Sequence, residues 1–232
     1  MPHPNFAKHQ SGFTLIEIAI VLVIIGLLLG GILKGQELIN SARVKNLATD
    51  FRNIPVFIYG YQDKFKALPG DDSAVVAHLG ANGTQATTPA GTQGNGAING
   101  NWFSTAQTDE SYLFWQHVRL AGLAPGVTVA DAAGYIPTNA SGGNIGIQSG
   151  STTAASSPIQ DGAAGIRGAY VICSTSILGK FVKQLDTQMD DGNTAAGSMM
   201  ATPTTTPAAL NALATPTANI DDALTYTVCM GV

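Results

Sequence analysis

The sequence predicts an α+β fold: one long N-terminal helix packed on a small antiparallel sheet that carries long loop insertions. Three observations predict it. Residues 13–33 form an almost wholly apolar run in which Glu17 is the only charge, and about 20 apolar residues in a helix cross the hydrocarbon core of a bilayer. The pattern then becomes a one-sided stripe of Val44, Leu47, Phe51, Ile54, Ile58, Tyr61, Phe65 and Leu68. Its spacing alternates between three and four, which keeps one helical face in a core. Beyond Pro69, short β-like runs (Ala169–Cys173 and Tyr226–Met230) stand between stretches rich in Gly, Ala, Thr and Asn.

Taken in order, residues 1–12 are a polar leader, residues 13–68 a single transmembrane and stem helix, and residues 69–232 a globular head. Lys45, Arg52, Gln62 and Lys66 mark the polar face of the stem, and Leu68-Pro69-Gly70-Asp71-Asp72 ends it by breaker chemistry. Pro55 removes one backbone donor inside the helix and predicts a bend. Residues 80–101 read as an exposed loop. Thr108-Asp109-Glu110 opens a second helix over 109–121, which Gly122 stops. Residues 127–165 are loop-rich, with a strand at 144–148, and residues 168–174 are a buried strand. A third helix is expected over 176–189, with Ile177, Phe181, Leu185 and Met189 on one face, followed by a turn at Asp190-Asp191-Gly192-Asn193. Residues 201–219 read as a Thr, Pro and Ala-rich loop, and residues 224–230 as a closing strand.

Charge is unevenly placed. Residues 13–68 hold six basic residues against four acids, whereas the head holds four against eleven. An acidic head argues against non-specific nucleic-acid binding, which needs Lys and Arg for phosphates. The low charged fraction of 11% and the long Gly, Ala and Thr loops suggest an exported protein. In that setting an even cysteine count favours a disulfide between Cys173 and Cys229.

The junction Ser11-Gly12-Phe13-Thr14-Leu15-Ile16-Glu17 is the most informative segment. A lone acid at the centre of a membrane helix costs roughly 2.5–3.5 kcal/mol on insertion scales, so Glu17 needs a reason. An ordinary secretory signal is cut after its apolar region, near small residues such as Gly30-Gly31. Neither that reading nor a plain uncleaved anchor accounts for Gly12 before Phe13 and for Glu17. Gly-Phe-Thr-Leu-Ile-Glu before an apolar run resembles the processing signature of type IV pilins and type II secretion pseudopilins.

The resemblance is strong over residues 6–69. It implies a pilin-like fold and cleavage by a membrane prepilin peptidase between Gly12 and Phe13, with N-methylation of Phe13. Glu17 is then the assembly residue, pairing with the free amine of a neighbouring subunit's Phe13. The implied partners are other filament subunits, the peptidase and an inner-membrane assembly platform. The implied location is the inner membrane as a single-pass precursor, leader in the cytoplasm and head in the periplasm, and then a filament. Within the family the chain reads as a type IV pilin, major or minor, with a secretion pseudopilin as the alternative. A tip adhesin gripping a partner through loops 80–101 and 201–219 is a reading of another class.

Gly26, Gly30, Gly31 and Gly35 support two readings that remain open: close packing of membrane helices, and a segment that unwinds in a filament. The second helix Pro common in the family would fall near Lys34 and is missing. No catalytic constellation is present: there is neither a phosphate loop nor a Gly-x-Ser-x-Gly elbow, and His78 and His117 stand apart. No cofactor is expected. Asp186, Asp190 and Asp191 are the one candidate calcium cluster, since some pseudopilins bind calcium in a C-terminal loop. The EF-hand spacing is absent, and a solvated acidic turn capping a helix is the preferred reading.

Overall fold

The computed structural model describes residues 12–151, 153–205 and 208–232; the leader, apart from Gly12, lies outside the described residues. The chain forms two compact units, Met1–Ala42 and Arg43–Val232.

Helix α1 runs from Leu15 to Phe65 and contributes to both units. In the first unit its side chains are exposed almost all round, and its apolar stretch is long enough to cross a membrane. In the second unit the alternating stripe becomes the core. Val44, Leu47, Phe51, Ile54, Ile58 and Tyr61 are buried, joined by Ala48. Pro55 lies within a helix that continues past it. The helix ends at Phe65 rather than Leu68 because Lys66 adopts a left-handed φ of 57°, which leaves Phe65 half-buried at the end of the stripe.

A five-residue helix, α2 (Val75–Leu79), follows unannounced by the sequence pattern. Helix α3 spans Glu110–Leu120 and ends before Gly122, whose φ of 76° suits glycine. Four strands, β1 (Ile145–Ser149), β3 (Tyr170–Leu178), β4 (Met199–Pro203) and β6 (Thr225–Gly231), form an antiparallel sheet in the order β1-β3-β6-β4. The short β2 (Ile159–Gln160) and β5 (Ala212–Leu213) pair in parallel beside it. Helix α4 (Gly179–Met189) follows β3.

The expected third helix begins three residues late. β3 continues through a bulge between Ser174 and Ile177, with Ser176 at φ 59°, so that Ile177 and Leu178 pair with Tyr226 and Thr225 of β6. Ladder hydrogen bonds outweigh the helical pattern there. The loop expected over 201–219 likewise begins inside β4, an edge strand that closes on Pro203 where no ladder donor is needed.

The sheet is covered on both faces, which explains why its strands are apolar on successive residues. Ile147, Ile172, Val228, Met230 and Met199 join the core formed by α1, α3 and α4. Their neighbours Val171, Cys173, Cys229 and Met200 point the other way, into a second core with Trp102, Ile159 and Ile166. Cys173 and Cys229 face each other across β3 and β6 and form the disulfide.

Candidate functional site: the N-terminal junction and the buried acids

Gly12 and Phe13 lie just before α1, both exposed. A Cβ on Gly12 would meet nothing within 4 Å among the described residues, so packing of this chain does not demand glycine there. Thr14 and Glu17 cap the helix reciprocally. The Thr14 N–H and hydroxyl both donate to Glu17 Oε2 at 2.7 Å, and the Glu17 N–H donates to Thr14 Oγ1 at 3.3 Å. This is a capping box, which satisfies helix-end donors that would otherwise be orphaned. The sequence reading missed the role of Thr14, although Thr-x-x-Glu before an apolar run is its standard signal. Glu17 therefore has an intramolecular partner at the membrane end of the helix.

Gly26, Gly30, Gly31 and Gly35 lie in unbroken α-helix, and a Cβ at any of them would touch nothing among the described residues. They leave a small-residue notch on a helix with no tertiary partner among the described residues of its own unit.

In the head, buried acids do structural work. Asp71 accepts the N–H groups of Gly94, Asn95 and Gly96 at 2.5, 3.2 and 2.7 Å. Glu110 accepts from the N–H and side-chain amide of Asn99 at 2.7 and 3.0 Å. These carboxylates pin the 80–101 loop, whose Ala86 and Ile98 are buried, so it is less exposed than its composition suggests. Burial pushes the Glu110 carboxyl up, partly offset by its Asn99 hydrogen bonds. Asp72 takes the Tyr61 hydroxyl and His78 Nδ1, each at 2.7 Å, and the Ala74 N–H at 2.8 Å. Burial works against its ionisation, but these bonds outweigh it and hold its carboxyl below the usual range. The two histidines stay apart in roles as well. His117 is buried, accepts the Gly70 N–H at Nδ1 and sets Nε2 against the Thr84 carbonyl. Burial lowers its pKa, so it is a neutral core pin.

The acidic turn after α4 does not gather a ligand set. Asp190 Oδ2 accepts the Met199 N–H at 2.8 Å, and Asp191 Oδ1 accepts the Asn193 N–H at 2.8 Å. Asp186 is buried, and neither carboxylate oxygen accepts a hydrogen bond; the Gly192 N–H is nearby but outside bonding geometry. Burial first, then repulsion from Asp190 and Asp191, pushes the Asp186 carboxyl up to about 7. Among the described residues no three His, Cys, Asp or Glu side chains are placed to hold a metal ion.

Residues 7–33 match the prokaryotic N-terminal methylation motif. That motif is the signature of type IV pilins and pseudopilins, and it points to a structural subunit rather than an enzyme. Together with the apolar helix it fits a membrane-anchored precursor. No curated protein and no solved structure matches the chain.

Proposed function

We propose that the chain is a structural subunit of a type IV pilus-like filament, cut by prepilin peptidase between Gly12 and Phe13, methylated on Phe13, and assembled through its N-terminal helix. The observation that carries this is the methylation motif on an apolar helix whose side chains are exposed, with no tertiary partner among the described residues of their own unit. Such a face is stable only against lipid or other helices. In a filament core an uncompensated carboxylate is costly, so Glu17 exchanges its Thr14 contacts for the Phe13 amine of a neighbour and acts as a register device.

Mass spectrometry of the mature protein tests the processing step, with the expected N-terminus at methylated Phe13. Two substitutions separate the roles of Glu17. Glu17→Gln keeps a capping-box acceptor and loses the charge; Glu17→Ala loses both. Both variants are expected to reach the membrane and both to fail in assembly. Filaments at normal abundance with either variant would remove the pairing role, and rescue by Gln alone would assign Glu17 to capping. Electron microscopy of sheared surface filaments then separates a pilin from a secretion pseudopilin: the pilin is present in them, whereas a pseudopilin is absent and its deletion impairs protein export.

A further inference from the structure

Within the Arg43–Val232 unit, α1 and the head leave a cleft of about 160 Å³. Asp50, Ile54 and Phe57 form its stem wall, and Trp115, Pro125 and Pro137 face them from the head. Asp50 is the one carboxylate on these walls. It is half-buried, and burial alone raises its pKa, to about 6. It makes neither a hydrogen bond nor an ion pair among the described residues.

Among the described residues, its own chain offers it no free cation. Helical neighbours lie three and four residues away, and at Asp50 these are Asn46, Leu47, Asn53 and Ile54. Arg119 reaches the same cleft but is committed to the head. Its Nε donates to the Pro125 carbonyl at 3.2 Å, and its Nη1 to the Val127 and Tyr135 carbonyls at 2.8 and 2.6 Å. The guanidinium also lies over the Trp115 and Tyr135 rings.

An apolar-walled opening that holds one uncompensated carboxylate suits a long side chain with an aliphatic stem and a cationic head. About 30 Å³ per water makes the cleft roughly five waters in size, room for one such side chain. This chain carries a supply of them. Arg43, Lys45 and Arg52 are exposed on α1, away from the buried stripe, and make no ion pair among the described residues. Lys45 and Arg52 are seven residues apart and therefore share a face.

We propose that the Asp50 cleft receives a basic side chain from the Arg43–Arg52 stretch of a second copy of this chain, and so sets the axial offset between neighbouring stems. The proposal rests on the filament reading above and names the contact that fixes its register.

Cross-linking in the full-length, membrane-inserted protein tests it. The chain has two cysteines, both in the native disulfide, so an introduced cysteine is the one free thiol. One tagged copy carries Asp50→Cys. A second, differently tagged copy carries Arg43→Cys, Lys45→Cys or Arg52→Cys. A short bifunctional thiol cross-linker, which spans the gap that the lysine or arginine side chain would fill, is expected to yield the mixed dimer for at least one pairing, at ten-fold or more the yield with a copy carrying Asp161→Cys on an exposed head turn. No pairing rising above that control overturns the proposal. Asp50→Asn adds a readout without thiols: the head keeps or gains melting temperature, because a half-buried carboxylate with a raised pKa is removed, while subunit incorporation into filaments falls at least ten-fold. Unchanged incorporation also overturns it. The cross-link reports the contact whether or not filaments form. Its failure with filaments present sinks the cleft assignment alone, whereas a mature protein that is neither cut before Phe13 nor present in any filament sinks the filament reading.

Discussion

A buried carboxylate with no hydrogen-bond donor is an expensive group, and Asp186 is one. Its folded pKa, raised to about 7 from an ordinary 3.8, gives the sign of its effect on stability. The native state binds this proton more tightly than the unfolded chain does. Stability is therefore highest below about pH 4, falls as pH rises from 4 to 7, and is level above 7 as far as this group is concerned. The full loss is on the order of 4 kcal/mol. Asp186→Asn should raise the melting temperature of the detergent-solubilised protein at pH 8, with the gain shrinking steadily toward pH 5. Parallel melting curves for the two proteins across that range would show that the carboxylate is solvated in the native state. Glu17 is the opposite case, a charge with hydrogen-bond donors of its own. Its Thr14 contacts are legible as Thr-x-x-Glu, a local signal that the long apolar run beside it masks.

At the scale of elements, what the sequence revealed depends on how local the physics is. The stem stripe, α3 and the closing strand β6 are set by periodicity and by breakers inside their own windows, and each lies within three residues of its expected bounds. β4 and the far end of β3 are set by partners distant in sequence. Met199–Pro203 becomes a strand because β6 supplies its ladder, and nothing in its Thr and Pro-rich surroundings announces that. The 80–101 loop shows the same limit. Its composition predicts exposure, but Asp71 and Glu110, outside the loop, supply the acceptors that its backbone needs. Removing one of them should release it. Asp71→Ala leaves the Gly96 N–H without its carboxylate acceptor and leaves the Gly94 and Asn95 N–H groups only the Asp71 and Thr92 main-chain carbonyls, and a typical hydrogen bond contributes about 1 kcal/mol. Limited proteolysis is expected to cut the variant between residues 80 and 101 at least ten-fold faster than the parent. An unchanged rate would mean that the buried Ala86 and Ile98 hold the loop without Asp71.

For the whole molecule, one helix serves two environments. Up to Ala42 its apolar side chains have no core of their own, and from Arg43 onward the same helix completes the core of the head. On the proposed function, anchoring and assembly fall to the first unit and folding stability to the second. The second unit has the means to stand alone. It holds both hydrophobic cores and the Cys173–Cys229 disulfide. The disulfide closes a separation of 56 residues, worth about 4 kcal/mol in the chain-entropy model. A chain of residues 43–232 exported to an oxidising compartment should fold as a water-soluble protein with a cooperative melting transition. It should lose several degrees or more of melting temperature on reduction, since about 4 kcal/mol is a large share of the 5–15 kcal/mol typical of a domain. It should also stay out of filaments when produced beside the full-length chain, because it lacks Phe13 and Glu17. Circular dichroism with and without reductant, sedimentation, and tagged-subunit counting in sheared filaments check the three points. An aggregated or unfolded fragment would show that the residues before Arg43 are needed to fold the head, and its incorporation into filaments would move the assembly determinant from the N-terminal helix to the head surface.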